Sequence, residues 1–183
     1  MVKSVVSANL DEGVDLDEEG KGRMSLKFID SKVVDNRDDG VKLTEEDEGG
    51  LVAKVVRSVA NGNDKGFVFE EAGNGGIWFD IIKTDSFNND NDGFEIEEAD
   101  KGTMEGNVIS TSSTGNHGKG FDLNEDGNGG LFIKFFDTLT DNGPEGDKED
   151  GIEANQEDAG RGEIKIRSSN IIGGTDLSGV EEI

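Results

Sequence analysis

The sequence predicts an all-β fold, a right-handed parallel β-helix (solenoid) of about six coils of about 27 residues, with three short strands per coil. Three observations predict it. Small hydroxyl residues recur as a column at Ser4, Ser31, Ser58, Thr84, Thr111 and Thr138. Asparagines follow the first five of these at a fixed offset: Asn9, Asn36, Asn63, Asn89 and Asn116. Two glycine columns keep the same period, one through Gly13, Gly40, Gly66, Gly93, Gly120 and Gly151, the other through Gly22, Gly49, Gly75, Gly102, Gly129 and Gly160. Self-similarity at a fixed period describes units that bury no core singly and must stack.

Each element of the coil then follows in order. The third-column glycine precedes an apolar-x-apolar strand, as in Val14-Asp15-Leu16, Phe67-Val68-Phe69 and Phe121-Asp122-Leu123, whose period-two alternation sends the first and third residues inward. An acidic turn follows and ends at the fourth-column glycine. The next strand is longer and offers Met24, Leu26 and Phe28, with their equivalents in every coil, to the interior. A weaker third strand starts near the hydroxyl column, as in Val33-Val34. Like residues stack at the strand spacing of about 4.8 Å, so Phe67, Phe94 and Phe121 are expected to form an aromatic column. The asparagines are expected to form a ladder inside a turn, each amide bonding the next, because a buried amide needs such partners. Antiparallel sandwiches need two-residue hairpin turns, and these are missing. The strict six-residue subrepeats of a left-handed hexapeptide helix are missing too.

Residues 1–183 read as one domain, with a loop insertion near 142–147, where the asparagine ladder is expected to stop, and a degraded terminal coil over 170–183. Neither end shows an amphipathic capping helix, so exposed strand edges are expected to favour self-association end to end.

Composition bounds the partners. Only 31% of residues are apolar and the net charge is −24, values typical of disordered chains. The fixed apolar columns override that reading. The charge opposes nucleic acid and anionic membranes, and no apolar run is long enough for membrane insertion. With no cysteine, disulfides and thiolate chemistry are excluded. The N-terminus enters the first repeat without a signal-peptide core, so the chain is read either as cytoplasmic or as exported with its leader removed. A rigid secreted or cell-surface module is the expectation.

The coil length, the asparagine ladder and the inward aliphatic and aromatic stacks resemble the right-handed parallel β-helix proteins of the pectate-lyase-like superfamily, over nearly the whole chain. The resemblance implies architecture. That superfamily spans lyases, hydrolases, epimerases, adhesins and inert spacers, so activity must be argued from the site. Its lyases use calcium-binding carboxylates with a basic residue as proton acceptor, which here points to Asp80 between Lys54 and Lys134.

Candidate chemistry falls in three places. Glu18, Glu45, Glu71, Glu98 and Glu125 are expected to stack on the surface, where like charges repel unless they splay or recruit cations. Asp15, Asp17 and Glu19, and likewise Asp122, Asn124 and Asp126, resemble the first half of an EF-hand loop and are candidate Ca²⁺ ligands, though Leu26 and Ile133 replace the closing glutamate. Asn88, Asp90 and Asp92 match in the same way. The third place is the outward face of the second strand. One column there reads Ser25, Val52, Trp78, Glu105, Phe132, Glu163, and its neighbour reads Lys27, Lys54, Asp80, Asn107, Lys134, Lys165. Trp78, Phe132, Val52, Lys54 and Lys134 make this the candidate ligand or partner face, suited to a polysaccharide or a second copy of the chain. His117, the sole histidine, reads as a solvated turn residue. The expected role is a non-catalytic acidic module associated with Ca²⁺; the alternative is a carbohydrate-binding or carbohydrate-active module.

Overall fold

A computed structural model describes residues 1–143 and 149–183. The first coil holds β1 (Val5–Ser7), β2 (Val14–Gly20) and β3 (Met24–Ile29), and the same trio repeats to the C-terminal strand Val180–Glu182. Every third strand pairs with the next in parallel, giving three sheets of seven strands each among the described residues. We call them the short sheet (containing β1), the acidic sheet (β2) and the lysine sheet (β3). Among the described residues there is no helix. The parallel β-helix is therefore the fold, with the predicted registers: Phe67 pairs with Phe94 and Phe94 with Phe121.

Alternation within each strand fills the interior. Val41, Leu43, Phe67, Phe69, Phe94, Ile96, Phe121 and Leu123 line it from the acidic sheet, and Leu51, Val55, Ile77, Ile81, Met104 and Val108 from the lysine sheet. The aromatic column forms: the Phe67 and Phe94 rings stack at 5.3 Å between centroids, and those of Phe94 and Phe121 at 4.6 Å. Size varies between coils, and neighbours compensate. Phe79 leans into the space beside Gly106, where any β-carbon would collide with its ring.

The corners explain the polar columns. The residue before each hydroxyl adopts a left-handed conformation, for example Asp30, Arg57, Lys83, Ser110 and Asp137, each with φ near +50°. The following hydroxyl caps that corner by donating to the carbonyl two residues back, as from Ser58 to Val56 at 3.0 Å and from Thr111 to Ile109 at 3.1 Å. At the next corner the asparagine ladder runs as predicted. Asn36 Nδ2 donates to Asn63 Oδ1 at 2.8 Å and Asn89 Nδ2 to Asn116 Oδ1 at 2.8 Å, while the backbone N–H groups of Asn36 and Asn89 donate to the same oxygens.

Two expectations need correction. The ladder does not stop at Asn116, because Asn116 Nδ2 donates to Asn142 Oδ1 at 2.8 Å; the sixth rung stands one residue earlier in its coil than the others. Of the insertion expected near 142–147, residues 144–147 lie outside the described residues. In the terminal coil Thr175–Ser178 extends the acidic sheet and Val180–Glu182 the lysine sheet. The larger correction concerns the glutamates. Glu45, Glu71, Glu98 and Glu125 are between 0% and 2% exposed, inside the solenoid and not on its surface. Val41, Leu43 and Glu45 share one parity of their strand, so the face that buries the first two also turns the glutamate inward. Its side chain occupies the space over the turn glycine. A β-carbon on Gly49, Gly75 or Gly102 would collide with the carboxyl of Glu45, Glu71 or Glu98, which is why that column is glycine.

Candidate functional site

Outward residues of the lysine sheet register as the sequence suggested: Val52 beside Trp78, Trp78 beside Glu105, Glu105 beside Phe132. The two aromatic rings do not stand upright. Trp78 lies over the backbone of Gly50 and Gly76, so close that their missing β-carbons would fall 3.3 and 3.4 Å from the ring, and the Arg23 guanidinium sits over it at 5.6 Å. Phe132 tips in the same direction over Gly130. Both rings thus move toward the strand starts and leave a trough of about 290 Å³ along the middle of the sheet. Trp78 remains 40% exposed.

The trough floor is polar and tied down. Asp80 accepts from Lys54 Nζ through Oδ2 at 3.1 Å and from Asn107 Nδ2 through Oδ1 at 3.1 Å. Asn107 stands between Asp80 and Lys134 in the sheet, so Lys134 does not flank Asp80 as the lyase comparison required. With both oxygens engaged, Asp80 is a fixed acceptor pair in a floor that also presents Ser25, Lys27 and Glu105. Such a surface can hold a ligand having an apolar face and several hydroxyls, the aromatic ring taking the former and the amide, ammonium and carboxylate groups the latter.

The half-EF-hand residues are placed differently from a calcium loop. Asp15, Asp17 and Glu19 are alternate residues of the extended strand β2, and Asp122, Asn124 and Asp126 of the strand Phe121–Gly127. Alternate strand residues stand about 6.6 Å apart in a line, so one triplet cannot wrap an ion as a loop does. Asn88, Asp90 and Asp92 do lie in a turn, but the carboxyl of Asp92 accepts the backbone N–H of Lys119 at 2.5 Å.

The structure instead brings acids together across coils. Among the described residues, carboxylates of Asp38, Asp39 and Asp64 approach within 4.8 Å of one another, as do those of Asp92, Glu95 and Asp122. The second group is partly neutralised: Lys65 Nζ bonds Glu95 at 2.5 Å, and Lys119 Nζ bonds Asp122 and Glu153, each at 2.9 Å. Burial pushes Asp39 and Asp92 up to about 6, against the opposing pull of the Lys65 and Lys119 backbone N–H groups. Burial works against the Lys119 ammonium, but its contacts with Asp122 and Glu153 outweigh it and raise the pKa. The signal was present in the sequence. The position before each third-column glycine reads Glu12, Asp39, Lys65, Asp92, Lys119, Asp150, a nearly alternating stack of opposite charges.

His117 is exposed, with Nδ1 4.0 Å from Asp90 Oδ1. The nearby Ser113 hydroxyl is buried and donates to the Gly120 carbonyl at 3.0 Å, so it offers no nucleophile to that ring. Comparison with family models, with curated proteins and with solved structures returns no match.

Proposed function

We propose that this chain is a rigid, non-catalytic acidic β-helix module, secreted or displayed at a cell surface, that binds a partner through the lysine-sheet trough. The observation that carries the reading is the tilt of Trp78 and Phe132, which opens a trough on the outward face richest in lysine. Cation association accompanies this role. Asp38, Asp39 and Asp64 supply hard oxygen donors of the kind Ca²⁺ takes, and their mutual repulsion favours any divalent ion that joins them. The thermal midpoint should rise more in millimolar Ca²⁺ than at matched Na⁺ ionic strength, and equal shifts would leave only screening.

A carbohydrate partner is the second reading, favoured by the flat exposed Trp78 ring beside the anchored Asp80 and Asn107. A glycan array with the wild-type chain and Trp78→Ala tests it. Binding of a polysaccharide by the former and not the latter supports this reading. No binding to any glycan removes it, and concentration-dependent light scattering then asks whether a second copy occupies the trough.

A further inference from the structure

The interior holds a second polar column, opposite in character to the asparagines. Glu45, Glu71 and Glu98 register one above another at the fifth residue of successive acidic-sheet strands. They are 0%, 2% and 0% exposed. Each lies in its coil between two core side chains, Leu43, Phe69 or Ile96 before it and Leu51, Ile77 or Met104 after the turn. Both carboxyl oxygens of Glu45, both of Glu98 and Oε2 of Glu71 meet no hydrogen-bond donor. Glu71 Oε1 alone of these six oxygens is well served, by the Gly75 N–H at 3.0 Å.

An ionised carboxylate only accepts, so three stacked carboxylates cannot satisfy one another. The charged groups facing them make ionisation worse. Glu18 lies next to Glu45, Glu125 next to Glu98, and Asp100 acts on Glu71; all are acids. No salt bridge reaches the three among the described residues. A buried charge left unpaired neutralises instead, and what the column lacks is donors. A divalent cation fits less well than protons. It takes about six or more oxygens, whereas a linear stack offers only two carboxyls per gap. Among the described residues, none of the groups of three or more acids that converge within 4.8 Å includes a member of this column.

We infer that Glu45, Glu71 and Glu98 form an internal proton-binding site that retains protons at neutral pH, the O–H groups of Glu45 and Glu98 donating to the carboxyl of Glu71 between them. Ionisation at alkaline pH then loosens the corner between the acidic and lysine sheets. Burial first, then the neighbouring glutamates, lift Glu45 to about 7 and Glu98 to about 9, against a weaker pull on Glu98 from the Gly102 N–H, which approaches it without the geometry of a hydrogen bond. The chain carries its own precedent for a neutral rung. Gln156 pairs with Glu125 at the same position, its side chain over Gly160 as those of the glutamates lie over theirs.

The linkage has a definite sign. Glu45 and Glu98 keep protons in the fold at pH values above 4.5, where they ionise in the unfolded chain, so the folded state binds more protons and stability falls as pH rises from 4.5 toward about 9. Asp39 and Asp92 act in the same sense but are spent near 6, which leaves the range between about 7 and 9 to the glutamate column. Urea unfolding of the full chain across that range is the test. Each retained proton should raise the wild-type unfolding constant about tenfold per pH unit. Glu98→Gln should flatten that slope and be more stable than wild type at the alkaline end. Infrared spectroscopy gives a readout independent of the variant's folding: wild type at neutral pH should show the carbonyl band of buried protonated carboxyls. A flat wild-type stability curve without that band overturns the inference. So does a wild-type column that loses the band and gains stability on adding Ca²⁺, since a metal would then occupy it.

Discussion

The asparagine and glutamate columns occupy two corners of the same coil, both buried and both one residue per turn, yet only one closes on itself. An amide carries a donor and an acceptor, so Asn89 can accept from the Asn63 side chain and backbone and still donate to Asn116 and Ser86. A carboxylate carries acceptors alone, and the glutamate column completes its pattern only by taking up protons. Equal geometry therefore yields one seam indifferent to pH and one that reports it.

Breaking the closed seam should have the largest effect. Asn89→Ala orphans the buried Asn63 backbone N–H, at about 1–3 kcal/mol, and also removes the side-chain bonds to Asn63, Asn116 and Ser86 and leaves a void in the ladder. We expect a loss of about 3 kcal/mol or more in urea unfolding, with no change in its pH slope. Gly102→Ala comes next and sharpens the comparison from the other side. Its β-carbon collides with the Glu98 carboxyl and the Gly75 carbonyl, costing about 2 kcal/mol by overpacking. An alanine at Gly106 meets the Phe79 ring instead, so its penalty should be independent of pH while that of Gly102→Ala varies with it. Phe94→Leu removes two stacked contacts from the apolar column and should cost about 1 kcal/mol beyond lost area. Smallest is Arg57→Ala, which breaks a solvent-exposed bidentate pair with Asp30 and should shift the urea midpoint least of the set, the shift vanishing in high salt.

The sequence already carried the coil, because period and parity are properties of the chain. The hydroxyl, asparagine and phenylalanine columns lie where the spacing put them. Glu98 was misplaced for a physical reason: acid composition argued for the surface, while strand parity with Phe94 and Ile96 argued for the interior, and parity won. Asn142 escaped notice because its coil is one residue shorter between hydroxyl and rung. The half-EF-hand triplets lie on strands because Asp and Glu at alternate positions suit an extended strand as readily as a loop. On the lysine sheet the columns were legible but the trough was not, since ring tilt depends on the bare backbone of Gly50, Gly76 and Gly130 in neighbouring turns.

Counting protons tests the contrast between the two columns most directly. In a pH-stat, urea unfolding of the wild-type chain at pH 7 should release protons to solvent, and Glu98→Gln should release fewer while Asn89→Ala releases the same number. Unfolding with no release, or with uptake, would mean that the buried glutamates are already ionised in the folded solenoid and would contradict the account.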